Sequence, residues 1–185
     1  LELCVKYGRE LAEAVDTVLG AEMTPVRGTF AARYAEVSLP FEKVPGPEKW
    51  KQDLLSKQFA ARKRAEHYLK LIEAGKSVPG EYPVYPVQVW KLGDQVVWVS
   101  LGGEVVVDYA LRLKKELQGP YAVWVTAYAN DVMAYIGSAR VIREGGYEGD
   151  TSMVYYGMPG KWDTSVEEKI ISKVHELVKA VNPTP

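Results

Sequence analysis

Residues 95–127, QVVWVSLGGEVVVDYALRLKKELQGPYAVWVTA, decide the fold class of this chain. The runs 95–101 and 121–127 are apolar and valine-rich, as is typical of buried strands, and glycine or proline pairs separate both from the segment between them. That segment repeats apolar residues at helical spacing, at Val106, Ala110, Leu113 and Leu117. A strand, a helix and a second strand predict a crossover unit, whose strands are parallel and whose connection is right-handed.

The flanking sequence adds antiparallel strands to this unit. Residues 84–91 form a further strand-like run, and Leu92-Gly93-Asp94 joins it to the next run as a short hairpin connection. Residues 27–41 alternate in two phases, which predicts a long strand with a bulge. The sheet is therefore predicted to be mixed, and the fold class is α/β, with a parallel strand–helix–strand unit flanked by helices.

The remaining segments predict the helices and a connector around the sheet. Pro47 suits the first turn of one helix, a second helix is predicted over 57–74, and the proline-rich residues 79–86 are predicted as a connector. The last helix carries apolar residues at helical spacing, and Thr164 with Glu167 predicts a capping box at its start.

The chain opens directly on an amphipathic helical pattern. Residues 1–19 place Tyr7, Leu11 and Val18 on one apolar stripe that stops at Gly20, and no capping residue precedes it. We therefore expect residues 1–185 to be a single domain that forms the carboxyl-terminal part of a larger protein. An upstream segment of that parent protein is expected to cover part of this surface.

Composition narrows the range of partners. The formal net charge is −1 with acids and bases interspersed, so the basic surface typical of nucleic-acid binding is missing. Cys4 is the single cysteine, which excludes an internal disulfide and a zinc cluster built on cysteines. No apolar run approaches the roughly 20 residues of a transmembrane segment, and the first residues do not resemble a signal peptide. The cellular compartment stays open.

The topology predicts where a site lies. In open α/β sheets, ligands bind beyond the carboxyl ends of parallel strands. Glu104 follows the first strand of the crossover and residues 130–135 follow the second, so the two segments are expected to be neighbours. Taken alone, Glu104 equally suits an acid at the start of the next helix. Taken alone, Tyr135 is more often a core residue than a ligand, because it is an aromatic residue that follows a strand, and Tyr147, within GGYEG, also suits a simple turn.

Several other residues have two interpretations each. Asp108 and Asp131 suit either hydrogen bonding that orients the residues of a site, or an ordinary role as a solvated or turn-capping side chain. Trp162 and Tyr155-Tyr156 suit either packing in the core or the lining of an apolar lipid groove, and packing is the favoured interpretation. Three further tryptophans fall on strands and are expected in the core or on a sheet face, namely Trp90, Trp98 and Trp124.

Three motifs together resemble one known family. They are LGGEVVVDYALRL at 101–113, AYANDVMAYI at 127–136 and GGYEGDTS at 145–152. In order and spacing they resemble the carboxyl-terminal part of the catalytic domain of neutral/alkaline non-lysosomal ceramidases, especially the short bacterial ceramidase-like proteins. The resemblance implies that the chain is the corresponding part of a larger ceramidase-like catalytic domain.

The resemblance also implies a chemistry: zinc-dependent hydrolysis of the N-acyl bond of ceramide or a related N-acyl lipid. The family holds one zinc ion with two histidines, a glutamate and a tyrosine, and the last two fall on Glu104 and Tyr135. A carboxylate is an ordinary zinc ligand, and a divalent cation favours the anionic form of a nearby phenol. A second family tyrosine, which stabilises the oxyanion of amide hydrolysis, falls on Tyr147.

Departures from the family limit what this chain does alone. The family's two histidine ligands and the serine near its scissile amide lie upstream and have no counterpart here. The only histidines, His67 and His175, do not fit the motifs and are expected to be structural or on the surface. Because catalytic zinc normally has three protein ligands, the isolated chain is expected to bind zinc weakly and to be inactive. The alternative is a non-catalytic module that binds a lipid or a protein on the same scaffold.

Overall fold

The computed structural model describes residues 1–182, which form seven α-helices, six strands and one short 3₁₀ turn. In chain order the elements are α1 Glu2–Leu19, β1 Phe30–Pro40, α2 Pro47–Asp53, α3 Phe59–Glu73, β2 Glu81–Leu92, β3 Val96–Leu101, β4 Glu104–Val105, α4 Val107–Glu116, β5 Ala122–Thr126, β6 Tyr135–Ile136, α5 Ala139–Glu144, α6 Gly146–Gly149, the 3₁₀ turn Thr151–Val154 and α7 Val166–Val181.

The main sheet has four strands in the order β1-β2-β3-β5. β2 pairs antiparallel with both β1 and β3, whereas β3 pairs in parallel with β5, the strand it reaches through α4. The predicted mixed sheet with a parallel strand–helix–strand unit is therefore confirmed. A second, two-stranded parallel sheet of β4 and β6 lies beyond the carboxyl ends of β3 and β5 and was not predicted.

One face of the main sheet carries the core. Its inward residues on β2 and β3 are at most 1% exposed: Val87, Val89, Val97, Val99 and Leu101. α7 lies against β1 and β2, and α4 lies against β5, so the helices cover this face. Each buried aliphatic side chain contributes roughly 1.5–3 kcal/mol relative to an exposed one, which fixes the sheet as the scaffold for the loops at its end.

A second, smaller apolar cluster joins α2 to α3. Trp50, Ala65 and Tyr68 are buried together, and the Arg64 guanidinium lies 5.2 Å from the centre of the Trp50 ring. The Tyr68 hydroxyl donates to the Gly157 carbonyl at 2.8 Å, which ties α3 to the segment that follows the 3₁₀ turn. α3 is thus anchored beside the carboxyl-terminal part of the chain.

The predicted connector over 79–86 is wrong, because β2 already begins at Glu81. Its pairing with β1 shifts register between Val37 and Leu39, which confirms the bulge expected in the first strand. Proline lacks the backbone N–H that a regular ladder needs, and Pro83 lies opposite this irregularity, where strands tolerate proline.

The predicted capping box of α7 is also wrong. Ser165 is the N-cap and makes no side-chain capping bond, while Asp163 Oδ1 accepts a hydrogen bond from the Ser165 amide at 2.8 Å. Glu167 is engaged elsewhere, because its two carboxylate oxygens accept from the Ala139 amide at 2.7 Å and from Arg112 Nη1 at 2.9 Å. These bonds join α7 to α4 and to the start of α5.

The amphipathic helix predicted at the start of the chain is confirmed as α1, which ends before Gly20. None of its residues is buried against any other part of residues 1–182. Within the same described range, none of the helices combines the length and apolar character needed to cross a bilayer.

Candidate functional site

Glu104 and Tyr135 are paired residues of the parallel strands β4 and β6. The pairing is held by backbone bonds, since the Gly103 amide donates to the Asp131 carbonyl at 2.7 Å and the Glu104 amide donates to the Ala134 carbonyl at 2.9 Å. Paired residues of neighbouring strands present their side chains on the same face. The predicted proximity of Glu104 to residues 130–135 is thereby confirmed.

Gly103 makes this pairing possible. Its backbone has φ +69°, a left-handed conformation that favours glycine, and a Cβ at this position would lie 2.6 Å from the Ala134 carbonyl oxygen. The chain therefore turns tightly after β3 and delivers Glu104 directly against β6. Glu104 is consequently a strand residue and not an acid at the start of α4, whose N-cap is Val106.

Tyr128 belongs to the same site, although the sequence analysis missed it. It has φ +58°, unusual for a bulky residue, and its amide donates to the Gly103 carbonyl at 2.8 Å. This bond fixes the loop after β5 against the turn after β3, which brings the Tyr128 phenol to the Glu104 carboxylate. The only sequence signal is an aromatic residue directly after the strand, two positions before Asn130.

The other tyrosines form an aromatic cluster around Tyr135. The Tyr135 ring lies edge-on to Tyr147 at 5.6 Å between centroids and edge-on to Tyr156 at 6.3 Å. Tyr147 in turn lies 6.2 Å from Tyr155. Tyr147 is 48% exposed, so part of this residue lies at the surface beside Tyr135.

The backbone of the site is supported from below by buried residues. Trp162 is 1% exposed, and its indole N–H donates to the Tyr135 carbonyl at 2.8 Å. The Tyr85 hydroxyl donates to the Gly102 carbonyl at 2.9 Å, which holds the turn before Glu104. Such bonds orient a site without contacting its ligand.

Asp131 and Asp108 serve neighbouring structure. Asp131 accepts hydrogen bonds from the Tyr82 hydroxyl and from the Val132 amide, so it fixes the loop that leads into β6. Asp108 accepts from Ser138 Oγ at 2.6 Å and from Arg140, which anchors the start of α5. Neither carboxylate is bonded to Glu104 or Tyr135.

Glu104 is the dominant electrostatic feature of the site. Hydrogen bonding to its carboxylate, followed by burial, raises the pKa of both Tyr128 and Tyr135 to about 12. Burial first, and then the same carboxylate, raises the pKa of Tyr156. A negative charge disfavours a second one nearby, so the three phenols keep their protons across the neutral range.

Replacing Glu104 with glutamine is expected to lower the pKa of Tyr128 and Tyr135 from about 12 toward the ordinary value of about 10. The folded state binds the phenol protons of Tyr128 and Tyr135 more tightly than the unfolded state does. Their contribution to the stability of the fold is therefore complete below pH 10 and is lost as the pH rises toward 12. Tyrosinate absorbance during alkaline titration measures the shift. Glu73→Gln, at the end of α3, is the control, and identical curves for the two variants would contradict the prediction.

The two histidines occupy the structural or surface positions expected of them, and neither is bonded to Glu104 or Tyr135. His175 Nε2 lies 2.7 Å from Glu116 Oε2, which ties α7 to α4. His67 packs edge-on against Tyr68 at 4.9 Å on α3.

Asn130 was expected in the site segment, but its side-chain amide donates to Gln88 Oε1 at 3.3 Å on the main sheet.

An open groove of about 490 Å³ adjoins the aromatic cluster. It runs between α3 and the 3₁₀ turn, and its lining combines apolar and basic side chains: Phe59, Ala60, Lys63, Arg64, His67, Val154 and Tyr155, with Gly157. Tyr155 belongs to both the groove and the cluster, whereas Trp162 is buried in the core and lines neither.

The donor set of the site is made of oxygen atoms. Glu104 supplies a carboxylate, an ordinary zinc ligand, and Tyr135 supplies a phenol, whose anionic form a nearby divalent cation favours. Their pairing in β4 and β6 places them side by side. Within residues 1–182, histidine, cysteine, aspartate and glutamate nowhere gather in groups of three or more that suit a metal ion. The pair therefore fits part of a zinc site, whose other ligands would have to come from outside these residues.

Comparison of the chain with models of protein families gives no match, and comparison with curated proteins gives none either.

Proposed function

We propose that this chain is the carboxyl-terminal part of a zinc-dependent hydrolase that cleaves N-acyl bonds in ceramide or a related N-acyl lipid. Glu104 and Tyr135 would be zinc ligands, and Tyr147 would be a catalytic hydrogen-bond donor. The remaining ligands, two histidines, would come from an upstream segment of the parent protein. The observation that carries the proposal is the direct pairing of Glu104 with Tyr135, with Tyr147 beside them.

The ligand roles follow from the position of the two side chains. β4 and β6 are short strands held by several backbone bonds, so the carboxylate and the phenol are presented on fixed backbone. Zinc supplies two things to amide hydrolysis, since it lowers the pKa of water to about 7 and polarises a carbonyl group. The Glu104 carboxylate also raises the pKa of the neighbouring Tyr128 phenol.

The role of Tyr147 follows from its hydroxyl. A phenol donates one O–H hydrogen bond, and the exposed Tyr147 ring lies 5.6 Å from the Tyr135 ring. A substrate carbonyl held beside Tyr135 would have its oxygen within reach of this donor. Hydrogen bonds directed at the oxyanion stabilise the transition state more than the ground state.

An amphiphilic substrate suits the surroundings of the site. Exposed tyrosine rings flank Tyr135, and the neighbouring groove offers Phe59 and Tyr155 for contact with an acyl or alkyl chain. Lys63, which is paired with Glu66, and Arg64, which is paired with Asp53, form the polar part of the same groove. These features support an N-acyl lipid, or another acylated amine, as the substrate class.

The first experiment measures zinc by elemental analysis after loading and dialysis. The isolated chain and the chain extended by its upstream segment are compared, each with and without Glu104→Gln. The extended protein is expected to retain close to one zinc ion, and Glu104→Gln is expected to weaken binding by about 10- to 100-fold or more, since it removes a direct ligand. Glu148→Gln, an exposed acid in α6, is the matched control. Absence of zinc from the extended protein would contradict the proposal.

A non-catalytic binding module is the second candidate. It is favoured by the large apolar surface that α1 and the outer face of the sheet leave exposed, because such patches mark interaction sites. The upstream sequence separates the two candidates, since two histidines in the family's motifs favour the hydrolase and their absence favours the module.

A further inference from the structure

The outer face of the main sheet, opposite α4 and α7, carries a continuous row of aromatic side chains. Trp90, Trp98 and Trp124 lie directly opposite one another on β2, β3 and β5. The Trp98 and Trp124 rings are stacked at 5.4 Å, and Phe30 lies 5.3 Å from Trp90. We call this surface the tryptophan face, defined by Phe30, Tyr34, Trp90, Trp98 and Trp124.

The tryptophan face is open to solvent in the part of the chain that the structure describes. Phe30 is 64% exposed and Trp124 is 61% exposed. A groove of about 310 Å³ runs over the face and is lined mainly by its aromatic and apolar side chains. The face therefore has the chemistry of an interface.

α1 has the complementary shape and chemistry. Its apolar stripe includes Tyr7, Leu11 and Val18, all of them exposed, while Lys6 and Glu13 lie on the other side. With 18 residues, α1 is about 27 Å long, and four strands spaced by about 4.8 Å give a sheet about 15–19 Å wide. One such helix therefore crosses the whole tryptophan face.

We propose that two copies of this chain associate by exchanging α1, so that the apolar stripe of each helix lies on the tryptophan face of the other copy. Each chain carries both α1 and the tryptophan face. Reciprocal exchange therefore closes a symmetric dimer in which both surfaces are covered. A second copy, and not the upstream segment first expected over the α1 surface, is the occupant, because the chain carries both the helix stripe and the face that matches it, while none of the α1 residues is buried within residues 1–182. A net charge of −1 per copy gives little repulsion between copies.

The area is sufficient for a stable dimer. A tryptophan, tyrosine or phenylalanine side chain buries roughly 150–250 Å² when fully covered, and the tryptophan face holds five of them, partly exposed. Two such faces, together with two helix stripes, reach the roughly 1,200–2,000 Å² that stable complexes bury. The polar side of α1 stays in water in this arrangement.

Analytical ultracentrifugation of the chain tests the association. We expect a monomer–dimer equilibrium that Leu11→Asp, on the apolar stripe, weakens by about tenfold or more. Thr17→Asp introduces the same charge on the polar side, where the hydroxyl bonds to the Glu13 carbonyl, and is expected to leave the dimer intact. Far-ultraviolet circular dichroism checks that both variants keep their helices. A monomer at all accessible concentrations, or equal weakening by both variants, would overturn the proposal.

Cross-linking tests the exchanged contact itself, because Cys4 on α1 is the only cysteine and is exposed. The native chain is mixed with a Cys4→Ser, Ala32→Cys variant, whose new thiol lies in the tryptophan row beside Trp90. A disulfide between the two chains is expected, and Ala74→Cys beyond α3 serves as the control partner. If the single-chain variant Ala32→Cys instead forms only an internal disulfide with Cys4, α1 folds onto its own sheet and the exchange is overturned. Neither test involves zinc, so its outcome is independent of the proposed hydrolase.

Discussion

Trp162→Ala is expected to destabilise the protein by about 3–5 kcal/mol, the range typical of removing a large buried aromatic side chain. Trp162 is 1% exposed, and its ring stacks on Phe41 with 4.7 Å between centroids and 9° between planes. Its indole N–H also donates to the Tyr135 carbonyl at 2.8 Å. The substitution therefore opens a cavity and leaves a partly buried carbonyl without its donor.

Urea unfolding measures the effect as a lower transition midpoint with an unchanged slope. Trp162→Phe separates the two costs, since it keeps an aromatic ring but removes the donor, and a loss of about 1–3 kcal/mol is expected. Leu55→Ala is the control, because that side chain follows α2, is 86% exposed and belongs to neither the site nor the tryptophan face. An equal loss for Trp162→Ala and Leu55→Ala would contradict the packing assigned to Trp162.

The proximity of Glu104 and Tyr135 is predictable from the sequence because it depends on topology alone. Parallel strands place their carboxyl ends at one edge of the sheet, so residues that follow them meet whatever the details of the loops. Periodicity identified both strands and the helix between them. The small sheet of β4 and β6 was not predicted, because two-residue strands have no periodicity and form only through contacts between distant segments.

Tyr128 shows why part of the site is invisible in the sequence. Its left-handed backbone conformation is held by a hydrogen bond, which its amide donates to the carbonyl of Gly103. Gly103 belongs to a different loop. Glu167 shows the same limit for helix capping, since Arg112 and the Ala139 amide hold the carboxylate that a local motif would use. In both cases long-range hydrogen bonds decide the local geometry, and single-sequence patterns do not contain them.

Tyr147→Phe is expected to lower kcat by about 10²- to 10³-fold in the zinc-loaded protein that includes the upstream segment, with a much smaller change in KM. This is the loss typical of one oxyanion donor. The substitution removes only the hydroxyl, so the edge-on contact of the ring with Tyr135 at 5.6 Å and the packing against Tyr155 at 6.2 Å are retained. Hydrolysis of a fluorescent N-acyl sphingoid substrate under saturating conditions measures kcat.

The control is Tyr155→Phe, which removes a hydroxyl from the neighbouring exposed ring, one position further from Tyr135 in the cluster. It is expected to change kcat by less than about threefold, because a group that does not contact the reacting carbonyl gives no selective stabilisation of the transition state. Unchanged zinc content in both variants would show that the ligand pair is intact. Equal losses of kcat in the two variants would mean that the cluster acts through packing and would remove the catalytic role of Tyr147, whereas a loss confined to Tyr147→Phe assigns that role to its hydroxyl.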